Sequence, residues 1–241
     1  MERTEWLKKI RETVEGLYDH ISPVYWVNYG FYENETHLEY LQKLLGRLVP
    51  HGSLLSAACG AGRYDGTLLE AGHNVLGIDQ SAGMLERAKE QFPQARYEKI
   101  RLQEMDFHEM FDGAICMDAM EHIFPEEWPG IMQRFRDALK PRGVLYFTME
   151  LPDTDLKASY ELAQAMGLPV VFGELADKVE ASYEQVKTFD ATGVPDELAG
   201  SAAYHYYPSL EQVRAWIEEA GLVVEEEGTG NGYEHFIVRR R

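Results

Sequence analysis

Gly60 and Gly62 follow directly on a short apolar run ending at Ala58, and Asp79 closes a second such run about 20 residues further on. A glycine pair at a strand-to-helix turn lets a ligand approach the backbone, and the helix behind it offers N–H groups that have no intrahelical partner. A carboxylate at the end of the next strand can accept from both hydroxyls of a ribose. Either feature has a plainer reading: a tight turn without a ligand, and a cap for the helix opening at Ser81. Together they point to a nucleoside-bearing ligand.

Charge narrows the choice. A dinucleotide fingerprint needs a third small residue three positions after the second glycine, and Asp65 stands there. In the first turn of the helix, where a pyrophosphate would rest, anion would meet anion. S-adenosylmethionine (SAM) carries no phosphate, and its sulfonium and ammonium tolerate an acidic neighbourhood.

Ala58-Cys59-Gly60-Ala61-Gly62-Arg63 resembles the glycine-rich motif of the class I SAM-dependent methyltransferases. Gly77-Ile78-Asp79-Gln80-Ser81-Ala82-Gly83-Met84-Leu85 is similar to their ribose-binding motif. Phe111 to Met117 resembles their fourth strand, and Leu139 to Leu145 the lead into the fifth. The resemblance covers Ser53 to Glu150 clearly and reaches the C-terminus more loosely. It implies SAM as cofactor, S-adenosylhomocysteine (SAH) as product, and a small-molecule methyl acceptor. By position it assigns Tyr18, Ser56, Ala58, Gly60, Gly62, Asp79, Gln80 and Met117 to the cofactor, with Met84, Leu102 and Gln103 at the adenine. The family usually has an acid where this chain has Ser56, a glycine where it has Ala58, and an acid at the adenine amino group near Arg101.

Methyl transfer from a sulfonium is an in-line displacement, so the protein must mainly align the nucleophile and exclude water. A hydroxyl or protonated amine acceptor also needs a base, and the end of the fourth strand offers Asp118, Glu121 and His122. The resemblance places this edge at the transferred methyl, with His122 the first catalytic candidate and Glu121 the second; packing beside the next helix is the other reading of His122. Tyr18, Tyr25, Trp26 and Tyr29 look like an aromatic lid in which a ring can face the sulfonium, or like plain packing of helices onto the sheet. Tyr25, Tyr29, Asp118, His205 and Tyr206 are the acceptor-side candidates, and His235 reads as a strand residue. Cys59 and Cys116 read as small core residues rather than nucleophiles. No metal site is expected.

The elements that must position these residues alternate. Strands are expected at Ser53–Ala58, Asn74–Asp79, Ala95–Ile100, Phe111–Met117 and Gly143–Glu150, with helices between them ending near Gly72, running from Ser81 to Pro93, and spanning Trp128–Leu139. A helix over Pro208–Ala220 precedes two last strands, Leu222–Glu227 and Tyr233–Arg239, joined by Gly-Thr-Gly-Asn-Gly. This is an α/β chain: a Rossmann-like, mostly parallel sheet of seven strands with helices on both faces. The resemblance supplies the strand order 3-2-1-4-5-7-6. Residues 1–50, with Trp6, Ile10, Val14 and Leu17 on one face and an aromatic stretch from Tyr18 to Tyr32, form a helical lid. Residues 51–150 and 208–241 form the SAM-binding domain. Residues 151–207, too long for an ordinary connection, form a cap, whose Tyr160, Phe172, Tyr183, Tyr204, Tyr206 and Tyr207 suit a surface that closes over a ligand, or a satellite core.

The chain has 241 residues, 45% of them hydrophobic, which excludes wholesale disorder. Its 23 basic and 41 acidic residues give a net charge of −18, which argues against nucleic acid as a partner. No apolar run reaches the length of a membrane span, Met1 to Glu15 lacks a signal-peptide core, and two cysteines suit a reducing compartment, so a cytoplasmic location is expected. The oligomeric state is not encoded in any motif. Two alternatives remain: a non-catalytic SAM-binding module, and a nicotinamide-dependent oxidoreductase, against which Asp65 counts.

Overall fold

The computed structural model describes residues 1–29, 34–152, 155–171, 182–188 and 202–241. Two helices open it. α1 (Arg3–Tyr29) buries Trp6, Leu7, Ile10, Val14 and Leu17, and α2 (Glu35–Leu45) buries Tyr40, Leu41 and Leu44. α1 does not stop at its aromatic stretch but runs through Pro23, so Tyr18, Tyr25, Trp26 and Tyr29 all ride on the helix. Proline cannot donate to the carbonyl four residues back; here that carbonyl, on Asp19, accepts instead from the Ser22 hydroxyl at 3.0 Å. Tyr32 lies outside the described residues.

From Ser53 strands and helices alternate. β1 (Ser53–Ala57), α3 (Asp65–Glu70), β2 (Asn74–Asp79), α4 (Ala82–Gln91) and β3 (Arg96–Lys99) make the first half of the unit. A 3-10 turn at Leu102–Glu104 leads to β4 (Phe111–Cys116), a second at Met120–His122 to α5 (Trp128–Ala138), and α5 to β5 (Leu139–Glu150). β5 is longer than its sequence suggests: Leu139 already pairs with Phe111, ahead of a register shift that absorbs Lys140, Pro141 and Arg142. Apolar strands buried on both faces give the parallel part of the sheet. After β5 come α6 (Leu156–Ala165), β6 (Tyr183–Thr188) and β7 (Ala202–Tyr207), then α7 (Leu210–Glu219), β8 (Leu222–Gly230) and β9 (Tyr233–Arg240).

The main sheet has seven strands in the order β3-β2-β1-β4-β5-β9-β8. Because β6 and β7 form their own two-stranded sheet, β9 and β8 are the seventh and sixth strands of the main one, which is the order 3-2-1-4-5-7-6. β9 runs antiparallel to both neighbours. The hairpin turns at Asn231 and Gly232 alone, both in the left-handed region (φ 47° and 83°), the geometry that suits a two-residue hairpin.

The described residues of the inserted segment pack into the main core. Tyr160, Ala163, Val170, Tyr204 and Tyr206 belong to the same buried cluster as Leu55, Phe147, Phe236 and Trp216. Phe172 lies outside the described residues. Among these residues no helix is long and apolar enough to cross a membrane.

Candidate functional site

The carboxyl ends of β1, β2 and β4 open into one cavity with α1 across it. Strand ends at the point where the order reverses are where open α/β sheets bind ligands.

The two glycines of the first turn do different work. At Gly60 (φ 53°) an added Cβ would meet nothing within 4 Å, so its backbone faces open space. At Gly62 (φ 81°) a Cβ would stand 3.1 Å from both Asp65 Oδ2 and a Phe92 ring carbon, so that glycine serves helix packing and lies off the cavity wall. Ala58, which lines the cavity, takes a left-handed conformation (φ 51°) that a glycine would adopt without strain.

Asp79 enters the same space. Its Oδ2 accepts from the Gly60 N–H at 2.9 Å and its Oδ1 from the Ser81 N–H at 2.8 Å, which fixes the carboxylate while leaving each oxygen a further lone pair. Burial pushes its carboxyl up, and the backbone N–H groups pull it back. Ser81 caps α4 through the Met84 N–H, and Asp19 of α1 reaches the same helix end, accepting from the Ser81 hydroxyl at 2.6 Å and the Gly83 N–H at 2.9 Å. Gln80, Met84, Ile100, Leu102 and Gln103 wall the cavity on this side. Arg101 stands there too, paired to Glu15 of α1 at 2.5 Å.

Asp65 is fully buried, with its Oδ2 accepting from the Tyr97 hydroxyl at 3.0 Å, and burial holds its carboxyl up to about 6. It does not line the cavity. The repulsion expected between it and a pyrophosphate is therefore not a direct contact; its effect on Gly62 is steric.

At the other end Ser56, Met117, Asp118, His122, Tyr18 and Tyr25 line the cavity. Asp118 also sits in the left-handed region (φ 54°), held by its N–H to Thr148 Oγ1 at 2.9 Å. Its Oδ2 accepts from Arg63 Nη1 and from the Tyr64 hydroxyl, each at 2.9 Å, and Arg63 also donates to the Tyr25 hydroxyl at 2.9 Å. Glu121 is buried just behind: burial, then the charges of Asp118 and Glu150, push it up to about 8.

His205 and Tyr206 of β7 and Tyr29 of α1 are not on the cavity wall. His205 stands behind His122, Tyr206 is a core residue 1% exposed, and Tyr29 is 43% exposed and packs on Tyr25. Trp26 packs edge-on against Phe92 and His235 bonds the Tyr146 hydroxyl at 3.0 Å, both away from the cavity. Burial raises both thiols, Cys59 and Cys116, which makes them poor nucleophiles. Among the described residues no group of three or more His, Cys, Asp or Glu side chains is arranged to hold a metal.

Of the cap aromatics, Tyr204 lines the cavity, and Arg11, Arg63, Tyr64 and Phe124 line it without having been singled out by sequence. Arg63 could have been found, since it follows the second glycine directly. His37 of α2 is a further surprise: fully buried, its Nδ1 is 3.0 Å from the Tyr64 hydroxyl and its Nε2 3.6 Å from Asp118 Oδ1, and burial pushes it down to about 4.

Residues 54–143 match the family model of a methyltransferase domain. They are a methyltransferase domain of the class I, SAM-dependent family. The matched region spans β1 to the start of β5, which includes Gly60, Asp79 and His122. A ubiquinone biosynthesis O-methyltransferase from Actinobacillus pleuropneumoniae is 27% identical over 157 residues, which is 59% of this chain and 66% of that protein's own length. A trans-aconitate 2-methyltransferase from Enterobacter is 24% identical over 83% of this chain and 79% of that protein. Among solved structures, a 1,6-didemethyltoxoflavin-N1-methyltransferase from Burkholderia thailandensis, crystallised with SAH, shares the fold at a TM-score of 0.57 and 15% identity, covering 99% of this chain and 86% of that one. The cofactor of the methyltransferase domain is SAM, and the residues present fit it: the open backbone at Gly60, the Asp79 carboxylate in the same space, and apolar walls at Met84, Ile100 and Leu102.

Proposed function

We propose that the protein moves a methyl group from SAM to an oxygen or nitrogen of a small molecule. The observation that carries this reading is the Asp79 carboxylate, tied to the uncovered Gly60 backbone, at one end of a cavity whose other end holds Tyr18, Asp118 and His122. The O- and N1-methyltransferases among the similar proteins support an acceptor of this kind. We assign residues 1–50 to a lid, 51–150 with 208–241 to the SAM-binding domain, and 151–207 to a cap that contributes Tyr204 to the cavity.

When bound, SAM supplies an electrophilic methyl on a sulfonium. Asp79 accepts from the ribose hydroxyls through the lone pairs left by Gly60 and Ser81. Met84 and Leu102 cover the adenine, and Gln103 lies at its edge. Ser56, Ala58, Gln80 and Met117 line the methionyl and ribose stretch between them. Tyr18 and Tyr25, on the cavity wall, would exclude water from the sulfonium and offer aromatic rings that favour its charge. His122, with Glu121 second, takes a proton from the acceptor, and Asp118 orients it.

Isothermal calorimetry with SAH tests the reading. Loss of two charge-assisted hydrogen bonds in Asp79→Ala should weaken binding by at least about 100-fold. Wild-type protein that binds no SAH at millimolar ligand refutes it, and binding of NADH instead would favour the oxidoreductase. SAH binding with no methyl gained by any acceptor in a broad panel would favour a binding module.

A further inference from the structure

His122 is flanked by two elements far from it in sequence. Its ring meets Tyr18 of α1 edge-on at 6.4 Å and His205 of β7 edge-on at 4.7 Å. Its Nδ1 is 3.4 Å from the Tyr204 carbonyl oxygen, and its Nε2 is 3.9 Å from Glu121 Oε1. His205 is in turn engaged by a carboxylate: its Nδ1 lies 2.8 Å from Oε2 of Glu150, the last residue of β5, and 3.0 Å from the Tyr207 hydroxyl. That hydroxyl also reaches Glu150 Oε2 and Gln185 Oε1, each at 3.2 Å.

A carboxylate on one imidazole nitrogen fixes the tautomer and stabilises the cation that forms when the other nitrogen is protonated. Here the carboxylate holds His205, whose ring packs edge-on against His122 on the cavity wall, and a base held in this way suits an acceptor that must lose a proton. A carboxylate acceptor needs no base and wants a cation facing it. Here the guanidinium groups on the cavity wall already face acids: Arg11 faces Glu127, Arg63 faces Asp118 and Arg101 faces Glu15. Acids stand on this side instead: Glu121 beside His122, Glu150 on His205, and Asp118 and Glu150 near enough to Glu121 to push its carboxyl up.

Resting on the SAM-dependent reading above, we propose that the acceptor is a neutral small molecule bearing an O–H or N–H, and that Glu150 and His205 are positioning residues that prepare His122 to receive its proton. The acceptor's heavy atom forms its bond to the methyl carbon as the carbon–sulfur bond breaks, with that electron pair staying on sulfur. The acceptor's proton passes to His122 Nε2 and from there to water.

The full-length protein, labelled with carbon-13 in its histidine rings and saturated with SAH, is titrated by NMR as wild type, Glu150→Gln and Glu150→Asp. Removing the carboxylate should move the midpoint of His122 to lower pH, and Glu150→Asp should restore part of the change. A midpoint that stays in place in Glu150→Gln overturns the proposal. If that variant does not fold, His205→Asn reads the same coupling at His122, whose midpoint must move. Calorimetry with SAH is the separate control: failure of the wild type removes the SAM reading itself, whereas variants that bind like wild type isolate the effect to proton handling. With SAM labelled in its methyl group, phenols, ring N–H heterocycles, amines and carboxylic acids read the acceptor class. Label on O–H or N–H compounds, with the acid limb of kcat moved to lower pH in Glu150→Gln, supports the proposal. Label on carboxylic acids alone overturns it, as does activity that chelation abolishes and a divalent cation restores.

Discussion

Gly60 and Gly62 look equivalent in sequence and are opposite in the folded chain. At Gly60 a methyl group has room but costs left-handed strain of about 1 kcal/mol and projects into the cavity. At Gly62 the same methyl meets Phe92, Asp65 and Ala88 at 3.1 to 3.3 Å. Gly60→Ala should therefore weaken SAH binding by about tenfold with modest loss of stability. Gly62→Ala should lose about 2–3 kcal/mol of stability in urea unfolding, from strain plus overpacking. Equal effects of the two on both readouts would contradict this division. Asp65 supplies a pH test. Folding raises its carboxyl to about 6, so its contribution to stability is full below its unfolded value near 4 and is lost as pH rises through 6. Between pH 4 and 7 the stability of wild type relative to Asp65→Asn should fall by up to about 3 kcal/mol. A flat difference would mean that burial does not perturb this group.

At the scale of elements, the roof of the cavity is a helix tied down at defined points. Asp19 joins α1 to the N-terminus of α4 through Ser81 and Gly83, and Glu15 joins it to Lys99 at the end of β3 and to Arg101 just beyond. Asp19→Ala should release SAH faster, by about tenfold in a stopped-flow displacement, because the roof then opens more readily. An unchanged dissociation rate would make the contact structural only. The alternation from Ser53 to Glu150 and the cofactor turn were legible because periodicity and glycine placement are local signals. The passage of α1 through Pro23 was not, since it depends on Ser22 taking over the orphaned carbonyl. Nor was the start of β5 at Leu139, where Lys140-Pro141-Arg142 reads as a turn until Phe111 pairs alongside it. His37 hid in a leucine-rich helix; its burial exists only through Tyr64, Tyr233 and His235, which are distant in sequence.

Across the whole molecule, one side chain joins three parts. Arg3 at the start of α1 bonds Glu126 ahead of α5, the Pro169 carbonyl after α6, and the fully buried Glu184 of β6, which also accepts from the Tyr204 hydroxyl and the Val171 N–H. Removing the cation from a buried carboxylate is costly, so Arg3→Ala should lose about 3 kcal/mol in denaturant unfolding. It should also speed protease cleavage within the segment between β5 and α7. Stability within about 0.5 kcal/mol of wild type would show the pair to behave like an exposed one. Sequence placed that segment after the fifth strand but could not show that its tyrosines share the main core, because the contacts cross more than a hundred residues.

The placement of α1 over the carboxyl edge has a consequence in time. A nucleoside seated on Asp79 lies beneath Tyr18 and Tyr25, so its departure waits for a 27-residue rod to lift. A lift slower than the bond rearrangement should show as a burst of methylated product in the first turnover of a rapid-quench experiment, and a linear time course from the start would place the slow step elsewhere.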